Sequence, residues 1–220
     1  MNRIAKAWLR VRSIPKTLYF NFRYLPFNQA VKLPFAVSCN TYLLLTKGTV
    51  RINSPLRRGM IQIGFGEVYT FDQHRSRTMW CVDGTVTFEG AAHIGHGSRI
   101  HVGGSLTLGQ DFVMTAESQI ICNHEIRFGS GVLVSWECVF MDNDFHKIRA
   151  NGRVINDARP IVVGNHVWFG LRCTVLKGSE IGDNVVVAAA STVAGKHLQQ
   201  NAIIGGTPMK VLRDAIEWEA

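Results

Sequence analysis

The segment VFMDNDFHKI, residues 139–148, sets Asp142, Asn143 and Asp144 directly before His146, where an apolar run breaks off. An imidazole titrating at about pH 6.5 can take a proton from a hydroxyl at neutral pH. A neighbouring carboxylate can orient the ring and stabilise the imidazolium. The spacing does not choose between Asp142 and Asp144, and a carboxylate at either place also suits a turn. A second group, His93, His96 and His101, contains an H-x4-H pair of the kind that holds zinc, but no carboxylate pattern accompanies it. The five cysteines (Cys39, Cys81, Cys122, Cys138, Cys173) are odd in number and form no CxxC pair, which points to reduced thiols in a cytoplasmic protein.

What positions His146 follows from a six-residue repeat. From Val163 the chain reads VGNHVW, FGLRCT, VLKGSE, IGDNVV, VAAAST, VAGKHL. The first place is always apolar, and the fifth holds Val167, Cys173, Ser179, Val185 and Ser191. Neither a helical period nor plain strand alternation produces a strict six. A solenoid does: each unit is a short strand and a corner, three units close one coil of a triangular prism, and glycine suits the corners. The ruler continues upstream through Ile94, Ile100, Leu108, Met114, Ile120, Ile126, Phe128, Val134 and Phe140, with two-residue slips. The solenoid is therefore expected over about 86–198, with one interruption at 142–160. An insertion into such an array can only bulge outward, which places His146 on an excursion from a rigid wall. Cys138 and Cys173 fall on inward places and should be buried.

Composition limits the rest. With 46% hydrophobic and 18% charged residues the chain is globular, and no apolar run reaches the length needed to span a bilayer. The N-terminus lacks a secretory pattern. Of the net charge of +8, Arg3, Lys6, Arg10, Arg12 and Lys16 supply a concentrated share, while Ile4, Trp8 and Val11 recur at helical spacing. Residues 1–16 thus read as a basic amphipathic helix. It either docks on an anionic membrane surface or packs on its own domain with a solvated basic face. No basic-aromatic module for nucleic acid is present. The expected organisation is an N-terminal extension over 1–85 with the first strands, a β-helix over 86–207 carrying the 142–160 loop, and a closing segment over 208–220.

Three stretches carry a resemblance: MDNDFH with the following NGRVIN, IVVGNHVWFG, and NAIIGGTPMKVLRDAIEWE. Together they resemble the hexapeptide-repeat acetyltransferases, the group with galactoside, maltose and serine acetyltransferases, and most of all the bacterial O-acetyltransferases of capsule, exopolysaccharide and lipopolysaccharide assembly. The resemblance implies an all-β solenoid, a left-handed parallel β-helix, with a short C-terminal α-helix. It implies a homotrimer with sites at subunit interfaces, acetyl-CoA as acyl donor and no metal.

On that resemblance His146 is the general base, with Asp144 or Asp142 beside it. Trp168, Gly170, Leu171 and Ala189 would lie along the pantetheine arm, and Lys210 and Arg213 near the phosphates. The family's Thr-Lys after the last repeat reads Ala194-Gly195-Lys196 here, leaving Lys196 a weaker phosphate candidate. On the acceptor side Glu117, Asn123 and Asn143 stand where family contacts to a sugar would be, but the residue types depart from the pattern. The implied activity is acetyl transfer to a saccharide hydroxyl of a capsule, exopolysaccharide or lipopolysaccharide precursor. The basic N-terminal region, for its part, suggests an acceptor such as a lipid-linked saccharide at the inner face of the membrane. The alternatives are a nucleotide-sugar N-acetyltransferase and a zinc-dependent γ-carbonic-anhydrase-like β-helix protein.

Overall fold

The computed structural model describes residues 3–73 and 75–219. Among these, three parallel sheets wrap one axis, and each coil gives one strand to each face. Face one runs from Phe35–Val37 to Ala202–Gly205, face two from Tyr42–Thr46 to Thr192–Val193, and face three from Thr49–Ile52 to Lys196–His197. The apolar ruler becomes columns of touching side chains. Ile94, Met114, Val134, Phe169, Val187 and Ile204 stack in register along face one. Trp80, Ile100, Ile120, Phe140, Val175 and Val193 do so along face two. Every one of these twelve is buried. The fifth-place residues Val167, Cys173, Ser179, Val185 and Ser191 are buried too. The serines among them are satisfied: Ser179 Oγ donates to the Leu176 carbonyl at 2.6 Å, and Ser191 Oγ accepts the Gly206 N–H at 2.9 Å.

The corners work differently from the sequence expectation. In five of the six units the residue in the left-handed conformation is the fourth: His166, Arg172, Gly178, Asn184 and Ala190 all have φ between 53° and 76°. Four of these five carry a Cβ, at a cost of about 1 kcal/mol each that the stacking offsets. The second-place glycines are needed for closeness instead. A Cβ on Gly109 would lie 2.2 Å from the Gly129 carbonyl oxygen, and one on Gly129 would lie 2.5 Å from that of Gly164. Successive coils touch backbone to backbone there.

The boundary expected at residue 86 is not one. Coils begin at Phe35, and Val50, Ile61, Ile63, Trp80 and Val86 belong to the same buried core as the later repeats. Two insertions, 53–60 and 66–78, break the six-residue count there and hid these coils from the ruler. Ahead of them lies α1 (Arg3–Tyr24), followed by α2 (Phe27–Ala30). α1 closes the open end of the prism. Phe20 fills it against Phe35 and Trp80, with ring centroids 5.0 and 5.1 Å away. Among the described residues the edge strand β1 (Phe35–Val37) has no neighbouring strand on that side, and α1 supplies its partners from side chains one turn apart. Asn21 donates to the Phe35 carbonyl at 2.9 Å and accepts its N–H at 3.1 Å. Thr17 Oγ1 accepts the Val37 N–H at 3.0 Å, and Ser13 Oγ accepts that of Cys39 at 2.9 Å. A sheet edge is thereby covered without a strand.

At the other end the C-terminal helix expected over 208–220 is absent. Lys210–Asp214 forms a strand antiparallel to Ala202–Gly205, after a turn through the cis Thr207–Pro208 bond. The last coil also leaves an open edge, and backbone pairing outweighs the helical spacing of Lys210 and Arg213.

Replacing Phe20 by alanine should remove the plug at the open end and lower unfolding stability by about 3–5 kcal/mol in denaturant melts. Protease cleavage should then appear first in residues 25–60.

Candidate active site

The 142–160 segment leaves face two after Val139–Met141 and re-enters at Ile161–Val163 on face three, so it stands outside the corner between them. Its root is fixed by Asp142, which is buried and accepts two backbone N–H groups, those of Asn123 and His124, both at 2.8 Å. Asp142 therefore tethers the loop to the coil before it and is not the partner of His146. Asp144 is also committed. Its Oδ2 accepts from Lys177 Nζ at 2.6 Å and from Asn156 Nδ2 at 2.8 Å. The hydrogen bond from the Lys177 ammonium, then that of Asn156, holds the Asp144 carboxyl below the usual aspartate range.

Asn156 ties the two arms of the loop together. It accepts the Ile148 N–H at 2.7 Å and donates to the His146 carbonyl at 2.7 Å. Lys177 in turn donates to the Asn156 carbonyl at 2.6 Å. The tip is a hairpin, Arg149–Ala150 against Arg153–Val154, turned through Asn151 and Gly152 at φ 49° and 75°. Both central residues have positive φ, as an Asn-Gly turn of this kind requires. That dipeptide was legible in RANGRV as a hairpin signal, and the clamps Asn156 and Lys177 were not, because their meaning depends on which side chains meet. His146 is held by its backbone alone, its N–H donating to the Asp144 carbonyl at 2.7 Å, and its side chain is exposed.

Beside it Phe145, at φ 61° in a turn made by the Asn143 side chain, lies nearly parallel to the His101 ring at 6.4 Å. Under Phe145 is a cleft of about 360 Å³ on the outer side of face two, lined by Leu44, Met79, Cys81, His101 and Ile121. Of the acceptor candidates, Asn143 and Asn123 stand at the loop root. Glu117 is on a different corner, where it accepts a hydrogen bond from Ser76 and faces Arg99 at 3.6 Å. Ser76 also meets His96 Nδ1 at 2.8 Å, so His96 and His101 are turned to different partners and do not converge as a metal pair. Among the described residues no three His, Cys, Asp or Glu side chains gather as a metal group.

The donor-side candidates fall on another face. Trp168, Gly170 and Leu171 follow one another at the corner between faces one and two, and a Cβ on Gly170 would lie 2.7 Å from the Ala189 nitrogen. Lys210 and Arg213 are exposed at the end of the same face one sheet. Lys196 is apart, on face three, paired to Glu180 at 2.7 Å. Trp218, which sequence reasoning did not single out, packs here. Its ring stacks 4.0 Å from that of His166, and its centroid is 6.0 Å from that of Trp168. Cys138 and Cys173 are buried, as expected from their places. The Cys138 thiol is pushed far up, first by its hydrogen bond with Cys173 and then by burial.

Because the Asp144 carboxyl is lowered, its contribution to loop order should be complete above the ordinary aspartate range and lost as pH falls through the lowered value. Asp144→Asn should abolish that pH dependence, and amide exchange in residues 142–160 should already be fast at neutral pH.

No family model matches the chain. It is 29% identical over 129 residues to galactoside O-acetyltransferase of Escherichia coli (strain K12), covering 57% of this chain and 59% of that protein. It is 32% identical over 114 residues to the putative colanic acid biosynthesis acetyltransferase WcaF of the same strain, covering 52% and 61%. The chain spans about half the length of the curated relatives it matches. In structure it resembles the polySia-specific acetyltransferase NeuO, with a TM-score of 0.53 at 18% identity, covering 84% of this chain and 78% of that one. A left-handed parallel β-helix is the shared fold. In fold and in sequence, then, this chain is similar to the hexapeptide-repeat acetyltransferases.

Proposed function

We propose that the protein is an acyltransferase that moves an acetyl group from acetyl-CoA to a saccharide hydroxyl. The observation that carries the reading is the clamped excursion. A loop tied down by Asp142, Asp144, Asn156 and Lys177 holds out one exposed imidazole beside an apolar cleft. The relatives' names, galactoside O-acetyltransferase and the colanic acid acetyltransferase, supply the class of reaction and of acceptor.

In this reading neutral His146 accepts the proton of the acceptor hydroxyl while the hydroxyl oxygen attacks the thioester carbonyl. The carbon–sulfur bond breaks, and the proton passes to the departing CoA thiolate. In this reading Asp144, whose Oδ2 is engaged by Lys177 and Asn156, acts on the imidazole through the backbone it shapes. The exposed corner of Trp168, Leu171 and Ala189 suits an extended pantetheine arm. Lys210 and Arg213 beyond it suit phosphates. These donor residues and His146 leave different faces of the prism, so the reading includes a homotrimer in which one protomer's corner meets the loop of the next. Asn123 and Asn143, at the loop root, serve as acceptor contacts, with His101 and Phe145 offering flat rings to a sugar.

The reading includes no covalent route through cysteine: Cys81, which lines the cleft, has its thiol pushed up, first by burial and then by Asp83. Cys138 and Cys173 are buried in the prism, and burial and pairing keep the Cys138 thiol protonated.

His146→Ala should lower turnover by about 10²–10⁴-fold in a CoA-release assay with saccharide acceptors, leaving the CoA-induced rise in melting temperature intact. Turnover close to that of the parent would remove His146 from the mechanism. Intact-mass spectrometry after incubation with acetyl-CoA alone should find unmodified protein. A single stable acetyl adduct on a cysteine would replace direct transfer by a two-step route.

A further inference from the structure

The segment that caps a solenoid covers its apolar end and normally turns a polar face to water. α1 does the first and not the second. The bonds from Ser13, Thr17 and Asn21 to the edge of β1 fix the rotation of the helix. Ile4, Trp8 and Phe22 are thereby forced onto the opposite side, with Val11 and Leu18 on its flank above a groove beside face one. Ile4 is 80% exposed, Trp8 62% and Phe22 48%. The apolar surface continues past the helix: Phe27, 74% exposed, has its ring 6.0 Å from that of Phe22, and Val31 follows. An unbroken exposed patch of this kind marks a contact surface.

Charge indicates what it contacts. By helical position Arg12 and Arg23 lie along one edge of the stripe, while Arg3 and Arg10 lie on the groove side in line with Thr17; all four are exposed. Lys6 and Lys16 are not part of this set, being held by Glu67 and by the Cys39 and Thr41 carbonyls. Residues 1–66 contain eleven of the chain's 24 Lys and Arg and none of its 16 Asp and Glu, so the remainder of the chain is slightly acidic. Between α1 and face one runs a groove of about 590 Å³, lined by Val11, Ile14, Leu18 and Leu33 with Arg10 and Arg58.

We propose that α1, with Phe27 and Val31, docks the prism end-on to an anionic lipid bilayer. The apolar stripe enters the boundary between headgroups and acyl chains, and the arginines meet lipid phosphates. A second copy of this chain is the other surface that would bury the stripe. A two-fold pairing of α1 would bring arginine edges together with no acidic residue in either helix to answer them.

The test is sedimentation of the full chain with phosphatidylcholine vesicles, with and without phosphatidylglycerol, which reads binding and not acyl transfer. The parent should pellet only with the anionic vesicles, and less as salt rises. Trp8→Ser with Leu18→Ser, and separately Arg10→Gln with Arg12→Gln, should each weaken partition about tenfold or more. Both pairs should melt at the parent's temperature, since the Ser13, Thr17, Asn21 and Phe20 contacts remain. Equal pelleting with neutral vesicles, no pelleting of the parent, or unchanged partition of the Trp8/Leu18 pair would overturn the proposal. So would a fall in oligomeric mass of that pair, by light scattering in the absence of lipid, because the stripe would then be a protein contact.

Discussion

The constraint on which everything else depends is the contact of backbone on backbone between successive coils. Parallel ladders join each coil to the next on all three faces, and where glycine holds the second place of the repeat, as at Gly109 and Gly129, even a Cβ has no room. A stack packed this tightly cannot absorb extra residues inward. The insertions at 53–60, 66–78 and 142–160 accordingly leave through corners, and the prism continues beneath them in register. A loop on such a wall inherits its rigidity only where side chains bind it back.

The 142–160 loop shows how few bonds suffice. Asp142 spends both carboxylate oxygens on backbone donors of the coil before it, and Lys177 reaches the loop from the coil after it. A charged bond from each side fixes the root, and Asn156 joins the arms across the root. Such charge-assisted bonds to backbone and to a half-buried ammonium are worth more than exposed ion pairs. The result frees His146 of structural duty.

Both ends of the prism face the same difficulty, an open sheet edge over an apolar interior, and each meets it differently. The C-terminal end folds a strand back onto Ala202–Gly205. The N-terminal end uses a helix whose Ser13, Thr17 and Asn21 imitate a strand's hydrogen bonds while Phe20 closes the core. The second solution leaves one face of a helix free, and that face is apolar.

The sequence by itself determined the solenoid, its inward columns and the outward placing of His146, because a strict six-residue period admits one geometry and each unit reports it locally. It also determined that α1 is helical and amphipathic. It did not reveal the first two coils, where insertions break the count although Phe35, Ile61, Ile63 and Trp80 are as buried as any later residue. The C-terminal helix that the resemblance implied is a strand instead, because a short exposed segment takes its conformation from the edge it lies on. Tertiary structure alone decided which carboxylate does what: Asp142 and Asp144 are two residues apart and serve different coils. It also decided which side of α1 faces inward. Both outcomes are set by partners far away in the chain, Asn123 and Lys177 for the loop and the free edge of β1 for the helix, and no local pattern contains them.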